Sequence, residues 1–168
     1  MSLHVAKIPD YTQHSEIAPD ELAAQPLRCA LAYWRSIRGD RRFPTRADVH
    51  PRDIAGILRH VSLIKYEDGD FVYRIVGDVI VRSFDLPMQN RKVSELSFEE
   101  PGFGAIVRPL LQRCVDNGEV IAVRGRTGRD LIKVNFTHYE NVLLPLGPED
   151  GRVDHIMTAS FYRSRSQY

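Results

Sequence analysis

Apolar side chains at Leu27, Ala30, Leu31, Trp34 and Ile37 recur every three or four residues. That spacing places them on one face of a helix and predicts one from Pro26 to Arg38, with proline in the first turn and Gly39 as the stop. Gly39 to Pro51 is basic and rich in turn residues, and a short helix is expected from Pro51 to Leu58 with His50 near its cap. The period then changes. His60 to Tyr66 and Phe71 to Val76 are β-rich runs separated by Glu67-Asp68-Gly69-Asp70, a hairpin signal. Short helical turns are expected from Asp78 to Leu96, broken by Pro87 and Asn90. A longer helix is expected from Glu99 to Asn117, with Phe103, Ile106, Val107, Leu110, Leu111 and Cys114 as its apolar face. Pro109 lies inside that run, which predicts a kink or a late start. Three strand runs close the chain: Glu119 to Arg126, Leu131 to Leu146 and Arg152 to Arg163. The middle run is long for one strand, where about 5–6 residues is usual, so a bulge is expected in it.

Strand runs joined by hairpins pair antiparallel, and helices inserted between strands must cover a face of the sheet. The expected fold is α+β: a five-stranded antiparallel sheet with helices on one face and an N-terminal helix. Residues 1–24 show no sustained period and read as an arm, 25–163 as one folded domain and 164–168 as a tail.

Composition narrows the class without naming a function. The chain has 168 residues, enough for one domain with its own core. Its 23 basic and 22 acidic side chains nearly cancel, so the basic excess of a nucleic-acid binder is missing and nucleic acid is not the expected partner. Cys29 and Cys114 sit in apolar helical stripes with no partner at metal-ligand spacing, and both are expected to be small buried hydrophobes. Met1 to Asp10 lacks the apolar segment of a signal peptide, and no run approaches the roughly 18 apolar residues of a membrane helix. The expected location is the reducing cytoplasm, with no membrane partner.

More specific than the element order are short motifs. Tyr33-Trp34 is followed by Arg38-Gly39, Pro44-Thr45-Arg46-Ala47-Asp48, Pro51 and Leu58, and later by Tyr73-Arg74-Ile75-Val76-Gly77. In this order the set resembles a family of stand-alone bacterial PAS-like proteins common in alphaproteobacteria, over about Leu27 to Tyr162. Thr45, Val49-His50 and Asp78 depart from the residues usual in that family. The resemblance implies a sensory or regulatory domain in bacterial signalling. It acts by binding a small molecule or a signalling protein, often as a homodimer through the helix before the sheet, here Leu27, Leu31 and Trp34. Trp34, Arg46, Asp48, Arg74 and Gly77 carry the structural motif. Against the usual arrangement, the ligand candidates are Tyr73, Arg74, Phe103, Val107, Val134, Phe136, His138, Met157 and Phe161.

The chemistry of individual residues refines this. Arg74 lies between apolar neighbours in a strand, so a buried guanidinium there needs a carboxylate, and Asp48 is the expected partner. The alternative is that Arg74 or Arg46 anchors an acidic ligand. His138 and Glu140 share the parity of Ile132, Val134 and Phe136, so they meet the pocket mouth unless a bulge turns them outward. No metal is expected from the six histidines, which show no close zinc spacing. Haem and flavin–cysteine photochemistry are not expected either: the Glu99–Asn117 helix has no histidine, and neither cysteine lies in an Asn-Cys-Arg-Phe-type helix. No nucleophile elbow or convergent carboxylate pair is present, so no catalytic residue is assigned and an enzyme is not expected. The alternative of a different class is a small α+β enzyme with acid–base groups at Tyr73, His138 and Glu140. A weaker one is an anionic-partner module using the arginine-rich loop from Arg35 to Arg46. Gly125-Arg126-Thr127-Gly128-Arg129 lacks the lysine and the strand-to-helix context of a phosphate loop and reads as a hairpin tip.

Overall fold

A computed structural model of the chain describes residues 13–126, 136–148 and 151–164. The strands are β1 (Gln13–Ile17), β2 (Val61–Glu67), β3 (Asp70–Val76), β4 (Ile121–Arg126), β5 (Phe136–Leu146) and β6 (His155–Ser164). The helices are α1 (Gln25–Arg38), α2 (Asp78–Phe84), α3 (Val93–Glu99) and α4 (Pro101–Asn117). Short 3-10 segments occupy Pro19–Glu21, Arg46–Asp48 and Pro51–His60. The strands form one antiparallel sheet in the order β1-β4-β5-β6-β2-β3.

The α+β antiparallel architecture matches the expectation, but the sheet has six strands rather than five. The extra strand, β1, comes from the segment read as an arm. Its sequence, Gln-His-Ser-Glu-Ile, carries no alternating apolar pattern; the exposed edge of β4 organises it, and Arg113 of α4 clasps Glu16 with bonds of 3.0 and 3.1 Å. The β2–β3 hairpin closes through Asp68 and Gly69, both at positive φ (54° and 74°), the two-residue turn whose twist suits a hairpin. The expected Glu99–Asn117 helix starts late, at Pro101, and runs through Pro109.

The two sheet faces are covered by different helices. Leu27, Ala30, Leu31 and Trp34 of α1 are buried, and α1 packs on β5 and β6. The Trp34 indole N–H donates to the Pro145 carbonyl at 2.9 Å. Pro145 lies beyond the last β4 partner, Leu143, so its missing N–H costs the β4 ladder nothing. On the opposite face, α2 and α4 bring Phe84 and Phe103 against Tyr162 and Tyr73. We call these the α1 face and the helical face.

Two expectations about the apolar stripes change. Leu27, Leu31 and Trp34 are 0%, 4% and 3% exposed, so the stripe assigned to a dimer interface is consumed by this chain's own sheet. Cys29 is exposed, one position off the stripe, whereas Cys114 is buried and burial pushes its thiol up to about 12.

Candidate functional site

The motif residues lock the loop after α1. Trp34 fixes α1 to the sheet, and its neighbour Tyr33 faces the loop. The Tyr33 hydroxyl accepts from the His50 N–H at 2.9 Å and donates to the Asp48 carbonyl at 3.3 Å. Thr45 and Asp48 form a reciprocal capping box around the half-buried Arg46. The Asp48 carboxyl lies below its usual range. The Thr45 N–H is the main cause; burial opposes it, and the Thr45 hydroxyl and Arg41 add to it.

Asp48 pairs with Arg41 at 2.8 Å, not with Arg74. The register explains the difference. Leu63 faces Ile75 and Ile64 faces Tyr73, so Arg74 is the extra residue of a bulge and turns out to solvent. A buried cation was expected; an exposed one needs no carboxylate. Gly77 follows. Its backbone angles (φ −65°, ψ 147°) suit any residue, but a Cβ there would lie 2.2 Å from the Arg59 carbonyl oxygen. The motif glycine therefore permits a close approach between the end of β3 and the end of the 3-10 segment Pro51–His60.

Most of the arginine-rich segment is engaged inside the fold. Arg35 pairs with Asp20, Arg38 stacks over Trp34, Arg41 pairs with Asp48 and Arg42 donates to the Asn117 carbonyl. These contacts tie most of the segment's guanidinium groups to this chain's own groups.

The ligand candidates divide between the two faces. Tyr73 and Phe103 meet on the helical face with ring centroids 6.3 Å apart, and Phe84 bridges Phe103 to Tyr162 at 5.3 and 5.7 Å. Burial pushes the Tyr73 hydroxyl far above its usual range; it does the same to Tyr162, where Ser160 partly opposes it. Val107 of α4 is half-buried against the core. Ser160 is buried on this face, and the buried Asn141 Oδ1 makes no hydrogen bond. The register puts Ser160 opposite Asn141 and Thr158 opposite Ser62, with Ser62 and Thr158 hydroxyl to hydroxyl. A row of polar side chains therefore crosses the middle of an otherwise apolar face.

Met157, Phe161 and His138 lie on the α1 face instead. The expectation grouped them with Tyr73 from the usual PAS arrangement; one irregularity on β5 moves His138, and β6, whose register is unbroken here, turns Met157 and Phe161 to the other face. The register shifts between Phe136 and His138, the bulge anticipated in this strand, and turns His138 and Glu140 away from the helical face. On β6 it is Tyr162, not Phe161, that meets Phe84; Phe161 stacks on His60 at 6.2 Å. Phe136 is placed in β5 by its backbone alone, and Val134 and the hairpin tip beyond Arg126 lie outside the described residues.

Sequence reasoning named Glu140 as an acid–base candidate and missed its structural role. Glu140 is 5% exposed. Its Oε1 accepts from the Ala23 and Ala24 N–H groups at 2.9 and 2.8 Å, which caps α1 from β5. Its Oε2 accepts from Arg124 Nε and Nη2 at 3.0 and 2.8 Å, and Nη2 also reaches the Glu21 carbonyl. Beside this latch is a half-open cleft of about 380 Å³, bordered by Ala23, Arg124, His138, Phe161 and Arg163. The three acid–base candidates do not converge, because Tyr73 is on one face while His138 and Glu140 are on the other. Among the described residues, no three His, Cys, Asp or Glu side chains group as metal ligands, and no helix is long and apolar enough to cross a membrane.

No curated protein and no solved structure is matched by the chain. A family profile is matched: that of the PAS domain, over residues 22–160, from Leu22, just ahead of the Glu140-bound Ala23 and Ala24, to the buried Ser160 of β6. That span holds the tryptophan helix, the capped loop, both helix-covered faces, strands β2 to β5 and the first part of β6, and the chain belongs to the PAS domain family.

Proposed function

We propose that this PAS domain is a sensory module whose signal is a small molecule held between the helical face of the sheet and helices α2 and α4. Its family is one of sensory and regulatory modules that are in general not enzymes. The observation that supports a ligand is the polar row inside the aromatic layer. Ser160 and the unbonded Asn141 Oδ1 share the sheet face of Tyr73 and Tyr162, on which Phe84 and Phe103 pack. A buried acceptor without a donor costs about 1–3 kcal/mol, and a ligand N–H or O–H would recover it. We assign Tyr73, Phe103 and Val107 to this ligand; Arg74, His138, Met157 and Phe161, on the solvent edge or the other face, are not part of this position.

The output of such a domain passes to a signalling protein or a second copy of the chain, in the bacterial cytoplasm. A homodimer remains part of the proposal, with an interface elsewhere than Leu27, Leu31 and Trp34. The enzyme alternative is not favoured, since both oxygens of Glu140 are occupied by structural donors.

Native mass spectrometry of freshly purified protein, with a denatured control, tests the reading. A mass above an integer number of chains, lost on denaturation and reduced in Asn141→Leu, is the expected result. A bare integer multiple for the wild type, with no difference in the variant, sinks the tightly held ligand and shifts the signal to protein contacts.

A further inference from the structure

The cleft on the α1 face lies on the other side of the sheet from that ligand position and has different chemistry. Its border carries two guanidinium groups. Arg163 is exposed at the rim, opposite His138 in the β5–β6 register, and makes no ion pair with a described residue. Arg124 spends Nε and Nη2 on Glu140 and Glu21, and Nη1 takes no part in those bonds. Glu140, the cleft's carboxylate, is covered by two backbone N–H groups and by Arg124, so its charge is locally compensated. Phe161 supplies an aromatic wall. The start of α1, at Ala24, adds the partial positive charge of a helix N-terminus.

We propose that this cleft binds a small aromatic oxyanion, an aryl phosphate or aryl carboxylate. Its ring packs on Phe161 and its oxyanion lies between Arg163 and Nη1 of Arg124. Guanidinium groups bind both oxyanions through planar, paired hydrogen bonds. A volume of about 380 Å³ is near the lower end of ligand pockets, roughly 300–1,000 Å³, and suits one ring with one charged group. Occupancy bears on α1, because Arg124 is the residue that holds Glu140 and Glu140 caps the helix.

The test is titration of the ¹⁵N-labelled full chain with phenyl phosphate and, separately, benzoate, with inorganic phosphate and phenol as controls. The expected result is saturable movement of the Gly125, His138 and Arg163 amides with at least one aryl oxyanion, and weaker movement with either control. The aryl arm that binds more tightly identifies the oxyanion as phosphate or carboxylate. Arg163→Gln, an exposed change that leaves the core intact, should weaken binding about tenfold, and Phe161→Leu should weaken it while leaving inorganic phosphate unaffected. No saturable shift at these amides, an unchanged affinity in Arg163→Gln, or inorganic phosphate binding as tightly as phenyl phosphate overturns the proposal. Shifts confined to Tyr73, Phe103 and Tyr162 also overturn it, and would place the aryl group on the helical face.

Discussion

Glu140→Ala separates a structural latch from an acid–base group. The substitution removes the acceptor for the Ala23 and Ala24 N–H groups just before α1, and leaving such donors without a partner costs about 1–2 kcal/mol. It also removes the Arg124 pair. Half of the Arg124 side chain is exposed, so that guanidinium rehydrates and the pair contributes about 0.5–1 kcal/mol. The space left at a position 5% exposed adds about 1 kcal/mol of lost packing. Together these give a loss of about 2.5–4 kcal/mol, or a urea midpoint lower by about 1–2 M. Glu140→Gln keeps the shape and one acceptor but turns an amide N–H toward Arg124, and should cost about 1–2 kcal/mol. Arg124→Ala leaves the buried carboxylate with half its donors, and the double variant should be less destabilised than the sum, with a coupling of about 1 kcal/mol. Urea denaturation followed by far-ultraviolet circular dichroism measures all four proteins. A Glu140→Ala variant within about 0.5 kcal/mol of the wild type, additive with Arg124→Ala, would refute the latch.

Gly77→Ala should destabilise by about 1–3 kcal/mol, because its Cβ meets backbone atoms of Leu58 and Arg59 that cannot swing aside. Gly56→Ala, where nothing lies within 4 Å, should instead be neutral or stabilising by up to about 1 kcal/mol; equal effects from the two would contradict the packing argument. Leu31→Ala should cost about 2–5 kcal/mol and leave the mass of the folded species unchanged by light scattering, whereas a dimer that dissociates without loss of stability would restore the stripe to an interface. Asp70 gives a pH signature. Burial raises its carboxyl pKa, but Ser94, the Phe71 N–H and Arg108 outweigh burial and hold it below the ordinary 3.8. A carboxyl depressed in the folded state stabilises above its unfolded value and loses that contribution as pH falls through the folded one. The wild type should therefore lose stability from about pH 5 downward more steeply than Asp70→Asn, and parallel urea midpoints across that range would count against the assignment.

The chain announces its layers better than its site, for physical reasons. A helix such as α1 announces itself because one stripe must be buried, and Leu27, Ala30, Leu31 and Trp34 are. The β2–β3 hairpin announces itself because Asp68-Gly69 is a residue pair that tolerates positive φ twice. Strand β1 had no such signal: an edge strand with one clasped glutamate needs little apolar surface of its own. The site depends on strand parity, and parity survives only until the first bulge. One extra residue at Arg74 turned an expected buried cation into a surface one. Another near Thr137 carried His138 and Glu140 to the opposite face. The Arg124–Glu140 latch is invisible for a related reason. Arg124 and Glu140 face each other on β4 and β5, while the capped N–H groups of Ala23 and Ala24 lie more than a hundred positions earlier in the chain. An isolated acid in a strand carries no record of the helix end it will cap. A small alphabet of local signals therefore fixes which elements form, and single-residue irregularities decide which side chains meet. For this PAS domain, the polar row at Asn141 and Ser160 and the basic cleft at Arg124 and Arg163 become separate candidates only once the register of β5 against β6 is known.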